Sequence, residues 1–175
     1  MALIIRALAL TDDRSTFQSG NIDMDRFFQR FAGQNQFRHY IGVTYVAVDG
    51  AAVLGFVTVT AASLETSTLS PAARKKLPAY PLPVLRLARL AVAASVKGQG
   101  VGSALLRFVF NLAHEMSALL GFVGVVVDAK LEAAAFYERY WLVALEAEAG
   151  HLSDRPEPSP MFLEIGAIPK PTAAR

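Results

Sequence analysis

No cysteine occurs in the 175-residue sequence, which excludes disulfides and thiolate-bound metals and agrees with a cytoplasmic protein. Histidine is scarce: His39, His114 and His151 are scattered, so no metal centre is expected. Long apolar runs are missing as well. The longest, Ala118 to Val127, has ten residues and two glycines, against the ~20 that a membrane helix needs, and no membrane association is expected. Residues 1–8 alternate around Arg6, a strand pattern rather than a signal peptide. Charge is modest, at 18% of residues against 53% hydrophobic, the balance of a core-rich globule and not of a disordered chain. The net charge is only +2, yet the basic residues cluster. Arg74, Lys75 and Lys76 form one group, Arg86 and Arg89 a second, and Arg26, Arg30 and Arg38 surround the first helix. Such clusters are either solvated faces or surfaces for phosphates.

The length fits one domain, over residues 1–169, with a disordered tail at 170–175. Strands are expected at residues 3–8, 44–48 and 53–60, the last two joined by an Asp49-Gly50 turn. Asn21 can cap a helix with Met24, Phe27, Phe28 and Phe31 on one apolar stripe. Residues 65–83, with four prolines, read as a surface excursion containing a short helix at 72–76. A strand at 84–93 follows, with Leu85, Leu87, Leu90 and Val92 as inner positions. A long helix after residue 100 places Val101, Leu105, Phe108, Val109, Leu112, Met116 and Leu119 on one face. Residues 122–127 suit a strand buried on both faces. A helix at 132–140, a long Pro-rich loop and two final strands at 142–145 and 161–165 complete the series.

Between the strand at 84–93 and the long helix lies Val96-Lys-Gly-Gln-Gly-Val-Gly-Ser103. Gly98, Gly100 and Gly102 allow positive φ and close approach of a ligand to the backbone. The helix that follows turns unpaired N–H groups and the positive end of its dipole toward the loop. That arrangement suits a phosphate or pyrophosphate. No Lys-Ser or Lys-Thr follows a glycine, so a P-loop is excluded. Ser103 stands where a dinucleotide fingerprint needs its third glycine. A plain glycine-rich turn before an amphipathic helix is the bland alternative.

The pattern Lys97-x-x-Gly100-x-Gly102 resembles the acetyl-CoA pyrophosphate loop of the GNAT N-acetyltransferase superfamily, Gln/Arg-x-x-Gly-x-Gly/Ala, with Lys97 departing from its first residue. The element order resembles the GNAT fold over nearly the whole chain: an α/β (α+β) architecture of one mixed, mostly antiparallel sheet of six to seven strands with helices on both faces. Ala134-Ala-Phe-Tyr-Glu-Arg-Tyr-Trp141 resembles the family's Ala-x-x-Phe-Tyr-x-x-x-Gly-Phe segment, with Trp141 in place of the glycine. The resemblance implies acetyl-CoA as acetyl donor, without a metal. It implies backbone pairing of Leu90, Ala91 and Val92 with the pantetheine arm. Lys97, Gly98, Gln99, Gly100, Val101, Gly102 and Ser103 would hold the pyrophosphate, and Ala133 and Phe136 would flank the cofactor. Tyr137 would be the catalytic acid, since a tyrosine with reference pKa ≈ 10 stays protonated at neutral pH and can donate to a leaving thiolate. For a general base, Asp128, Glu132 and Glu138 are candidates, and none is singled out.

Residues 13–21, Asp25-Arg-Phe-Phe28 and Ala32-Gly-Gln-Asn-Gln36 are similar to the N-terminal signature of the GNAT toxins of bacterial toxin–antitoxin pairs. That resemblance implies transfer of acetyl to the α-amine of aminoacyl-tRNA. The implied partners are acetyl-CoA, aminoacyl-tRNA and a ribbon-helix-helix antitoxin, and a homodimer is compatible with it. Arg74, Lys75, Lys76, Arg86 and Arg89 are the candidate tRNA contacts. A GNAT enzyme for a small-molecule, peptide or protein amine is the alternative. A non-catalytic acyl-CoA-binding or antitoxin-binding module is a third reading, against which Tyr137 argues.

Overall fold

The computed structural model describes residues 1–145 and 159–170. Seven strands form a single mixed, mostly antiparallel sheet in the order β1-β2-β3-β4-β5-β7-β6: β1 Ile4–Ala7, β2 Val43–Asp49, β3 Ala52–Leu64, β4 Leu82–Val92, β5 Gly124–Ala129, β6 Val143–Ala144 and β7 Ser159–Glu164. The helices are α1 Ile22–Arg26, α2 Ala32–Gln34, α3 Pro71–Arg74, α4 Val101–Leu119 and α5 Ala134–Glu138. The chain gathers into two compact units. One comprises Met1–Thr60 and Leu87–Phe110; the other comprises Ala61–Arg86 and the described part of Asn111–Arg175. The expected Pro-rich loop after residue 145 lies outside the described residues, as do all but Lys170 of the expected tail.

In the first unit, β1 and β2 pair antiparallel with Ile5 opposite Ala47. The β2–β3 hairpin closes with Asp49 opposite Ala52, and Gly50 supplies the positive φ of +59° that the turn requires. The core joins Leu8, Phe17, Phe27, Phe28, Val46 and Phe56. Phe28 lies flat on Phe56 at 4.4 Å between ring centroids, and Phe17 meets both rings edge-on.

The helical segment over residues 22–39 is not a regular α-helix. Two π-turns, Phe27–Phe31 and Asn35–His39, interrupt it. The first is supported by Arg14, whose Nη1 donates to the Phe28 carbonyl at 2.9 Å. A Cβ at position 33 would lie 2.9 Å from Arg14 Nη2, so Gly33 makes room for the guanidinium. A π-turn takes more residues per turn than an α-helix and delays every later position. The expected stripe therefore fails at its last member: Phe27 and Phe28 are buried but Phe31 is exposed, while Ala32 takes the inward place.

β4 brings a second correction. The strand keeps its two-residue period with Leu85, Leu87 and Ala91 buried, whereas Leu90 and Val92 are only half-buried. The inward position between Leu87 and Ala91 belongs to Arg89, whose guanidinium lies over the Phe27 ring at 4.1 Å. An apolar pattern alone skips an inward arginine. On α4 the expected face is buried at Val101, Leu105 and Val109, but Leu119 is exposed at the helix end.

The second unit is built on Leu64, Leu69, Leu82, Val84, Val126 and Phe162. Residues 65–83 are thus more than a surface excursion, since Leu69 and Leu82 belong to this core. The short helix there is α3, capped by Ser70 through the Ala73 N–H. β5 is buried at Val125, Val126 and Val127, as its unbroken apolar run predicts, and pairs antiparallel with β7. β6 is a two-residue edge beside β7. Among the described residues, no helix is long and apolar enough to cross a membrane.

The π-turn phase makes a direct prediction. Phe28→Ala, which empties a fully buried aromatic site, should lower the unfolding free energy by ~3–5 kcal/mol in urea titration. Phe31→Ala should change it by less than ~1 kcal/mol. Equal losses at the two positions would restore the regular helix.

Candidate active site

The glycine loop belongs to the first unit. β4 ends at Val92, and the Ala93 N–H donates to the Leu54 carbonyl of β3 at 2.8 Å. A short 3-10 turn, Ala94–Val96, leads into the loop. Gly98 has φ +79° and Gly100 φ +88°. A Cβ at either would meet nothing within 4 Å, so glycine is required there by backbone conformation and the space above remains open. The first bond of α4 runs from the Ala104 N–H to the Gly100 carbonyl at 3.0 Å. The N–H groups of Val101, Gly102 and Ser103 precede that ladder and, with the helix dipole, form a helix start of the kind that suits an anion.

Two features fix this helix start. At Gly55 of β3 an added Cβ would stand 2.9 Å from the Ala91 carbonyl and 3.1 Å from side-chain atoms of both Val101 and Leu105. Only glycine lets α4 come so close to β3. The other feature is the segment Phe17–Asn21. The Gln18 carbonyl accepts from the Ala94 N–H at 2.9 Å, at the entry to the loop. Gly20, with φ +89°, lies so that a Cβ would be 3.4 Å from Lys97 Nζ. Asp25 holds the segment by accepting from the Ser19 N–H at 2.9 Å and from Ser19 Oγ at 2.6 Å. Gln29 Nε2 donates to the Phe17 carbonyl at 2.9 Å, and Asn21 caps α1 through the Met24 N–H at 3.1 Å. The Ser-Gly-Asn motif is therefore a capped turn that also abuts the glycine loop.

Tyr137 belongs to the second unit, on the five-residue helix α5. A 3-10 turn at Leu131–Ala133 opens this helix, shorter than the expected 132–140. Tyr137 is buried, with Phe136 edge-on at 5.2 Å. Burial penalises its ionised form and pushes its pKa up to about 12. The helix ends with Trp141 at φ +68°, as the Leu142 N–H folds back onto the Tyr137 carbonyl at 3.4 Å. Trp141 is thus a tryptophan in the left-handed position where a helix end favours glycine. Ala133 and Phe136 are half-buried on this element.

The candidate cations fall in both units. Arg89 lies in the first unit, and burial against Phe27 lowers its pKa despite the opposing charge of Asp23. Arg86 and the exposed Arg74, Lys75 and Lys76 lie in the second. Arg86 approaches Asp128 at 3.8 Å, so this candidate base is engaged by a cation. Glu132 and Glu138 are exposed. Among the described residues no group of three or more His, Cys, Asp or Glu could hold a metal ion.

Comparison with known proteins bears on this arrangement. The family described as "Acetyltransferase (GNAT) domain" matches residues 41–140. A tRNA-acetylating toxin of Mycobacterium tuberculosis (strain ATCC 25618 / H37Rv) is 29% identical over 136 residues, covering 77% of this chain and 81% of its own. Among solved structures, AtaT complexed with acetyl-methionyl-tRNAfMet covers 95% of this chain and 96% of its own, with TM-score 0.83 and 25% identity. AtaTR bound with AcCoA covers 95% of each chain, with TM-score 0.78 and 26% identity.

The environment of Tyr137 predicts an alkaline signature. Between its unfolded pKa near 10 and the folded value of about 12, the unfolded chain releases a proton that the folded chain retains. Stability should therefore fall with rising pH across that window, by at most ~1.4 kcal/mol per pH unit. Ultraviolet titration should show one of the five tyrosines ionising last, and Tyr137→Phe should remove that step and flatten the loss. A full complement of tyrosines titrating near pH 10 would contradict the buried environment.

Proposed function

The chain belongs to the GNAT acetyltransferase family, whose domain matches residues 41–140, and on that premise we propose that it transfers acetyl from acetyl-CoA to the α-amine of aminoacyl-tRNA. The observation that carries this reading is the likeness, over 95% of the chain, to a toxin complexed with acetyl-methionyl-tRNA. The tRNA-acetylating toxin that matches 77% of the chain supports it. The proposed setting is the cytoplasm, with acetyl-CoA and charged tRNA as substrates. A ribbon-helix-helix antitoxin as neutralising partner and a second copy of the chain are part of the same proposal.

The residues fit the donor. The Gly98–Ser103 backbone, with two glycines in positive φ and the free N–H groups of the α4 start, suits the pyrophosphate, and Lys97 adds a cation. Leu90, Ala91 and Val92 would pair with the pantetheine arm as a further strand would, and Ala133 and Phe136 would flank it. When bound, acetyl-CoA supplies the acetyl group as a thioester. Tyr137 holds a proton at Oη for the departing sulfur, and its pKa of about 12 keeps it protonated at every physiological pH. A dry site that penalises a tyrosinate penalises a thiolate in the same way, so donor and recipient shift in the same direction. The acceptor asks little of a base. An α-amine, with reference pKa near 7.7–8.0, is substantially free at neutral pH, whereas a lysine amine near 10.4 is not. With no organised base at Asp128, Glu132 or Glu138, an α-amino acceptor is the better fit.

Incubation with labelled acetyl-CoA and charged tRNAs should yield acetyl-aminoacyl-tRNA. Tyr137→Phe should lower kcat by roughly 10²–10⁴ while leaving acetyl-CoA affinity within a few-fold. Expression without an antitoxin should arrest growth, and the same substitution should relieve the arrest. Acetylation of free amines, with charged tRNA untouched and growth unaffected, would move the assignment to a small-amine enzyme.

A further inference from the structure

The π-turns of residues 22–39 have a consequence on the outer side of the helix. Arg26, Arg30, Gln34 and Arg38 follow one another at four-residue intervals, and all four are exposed. In a regular α-helix each such interval overshoots a full turn by ~40°, so the row would wind ~120° around the axis between Arg26 and Arg38. The π-turns at Phe27–Phe31 and Asn35–His39 take up most of that overshoot, because they need more residues per turn. The row therefore winds less around the axis than it would in a regular helix, with one residue every ~6 Å at the helical rise. Successive phosphates of a nucleic-acid strand recur on a comparable spacing.

Among the described residues, no ion pair engages the charge of this row: the pairs are Arg6–Asp12 and Arg86–Asp128. Of the acidic residues on the same helix, Asp25 accepts from Ser19 and Asp23 acts on Arg89. At the end of the row stands Tyr40, 86% exposed and held at φ +54°, with its N–H closing the last π-turn onto the Asn35 carbonyl. Glycine or asparagine serves such a helix end without the ~1–2 kcal/mol that a left-handed conformation costs other residues. A solvent-exposed ring contributes little packing in return. A strained, exposed aromatic beside a basic row points to a ligand rather than to the fold.

We infer that Arg26, Arg30 and Arg38 bind successive phosphates of an RNA strand and that Tyr40 stacks an unpaired base of the same strand. Resting on the reading of aminoacyl-tRNA as acceptor, this makes the helix the contact for its acceptor arm, which joins a paired backbone to an unpaired end. It shifts the expected RNA contact away from Arg86 and Arg89, which are engaged by Asp128 and Phe27.

Binding of uncharged tRNA without acetyl-CoA, followed by fluorescence anisotropy across a salt series, tests the surface apart from the chemistry. The triple substitution Arg26→Ala, Arg30→Ala, Arg38→Ala should weaken binding and reduce the salt slope by ~2–3, about 0.7–0.9 for each phosphate no longer neutralised. Tyr40→Asn keeps a residue that tolerates the backbone and removes the ring. It should weaken RNA binding by ~5–100-fold with the melting temperature unchanged or raised, an outcome no purely structural role would give. Acetyl-CoA affinity, measured by calorimetry, should be unchanged in both variants. Wild-type tRNA affinity and salt slope in the triple variant would overturn the phosphate row, and wild-type affinity in Tyr40→Asn would overturn the stacking contact. Should the parent protein acetylate charged tRNA and the triple variant do so with unchanged KM, the row fails while the acceptor reading stands. Should the parent bind tRNA through the row but leave charged tRNA unacetylated, the acceptor reading fails and the row stands.

Discussion

The stacking of Phe28 on Phe56 at 4.4 Å is the contact on which the first unit depends. It ties the helical segment 22–39 to β3, and Phe17, edge-on to both rings, draws in the segment that precedes the helix. That segment carries the Gln18 carbonyl that receives the Ala94 N–H and the Gly20 turn beside Lys97. The aromatic cluster thus sets the entry of the glycine loop, and Gly55 sets its exit by admitting the start of α4. A loop proposed to hold an anion needs such a frame. Its N–H groups can only point together if the helix start and the preceding strand are both fixed.

The same packing explains why the helix is irregular. Phe27 and Phe28 must face β3 while Ala32 and Gly33 follow on the buried side. Arg14 reaches the Phe28 carbonyl between them, as side chains that enter a helical ladder do where helices depart from α geometry. The π-turn that results changes the phase of everything beyond it. It turns Phe31 outward and leaves Arg26, Arg30 and Arg38 exposed on the outer side.

Much of this is legible in the sequence, and the exceptions have physical causes. The β2–β3 hairpin follows from alternation and Asp49-Gly50, β5 from its unbroken apolar run, and the positive-φ glycine turn before α4 from glycine spacing before an amphipathic helix. All three are local patterns. The phase of residues 22–39 is not legible, because a π-turn is stabilised by Arg14 and Gly33, which no 3.6-residue period anticipates. Inward Arg89 escapes a sequence reading because its partner, Phe27, lies 62 positions earlier in the chain, and apolar counting assigns inward places only to apolar residues. Leu69 and Leu82 are hidden by a proline-rich context that reads as surface. Tyr137 is singled out by its motif as a candidate, but its burial and the resulting pKa require the fold.

The distribution of positive φ separates two demands on the backbone. At Gly20, Gly98 and Gly100 the conformation is met by glycine, so it costs little and leaves N–H groups open to an anion. At Tyr40 and Trp141, the two non-glycine residues with positive φ among the described residues, the same conformation is met by large aromatics that are mostly exposed. Neither is forced by the core, since solvent covers most of each ring. Each instead ends a helix, where its N–H folds back onto a carbonyl of the preceding turn and glycine would serve the backbone better. In the family's Phe-Tyr-x-x-x-Gly pattern the equivalent of Trp141 is that glycine. Its replacement directly after the helix that carries Tyr137 puts an aromatic surface a short way along the chain from the proposed acid. Strain tolerated at an exposed position is better explained by what the ring meets than by what holds it, and under the proposed RNA acceptor a flat aromatic face is the surface on which any of the four bases can stack.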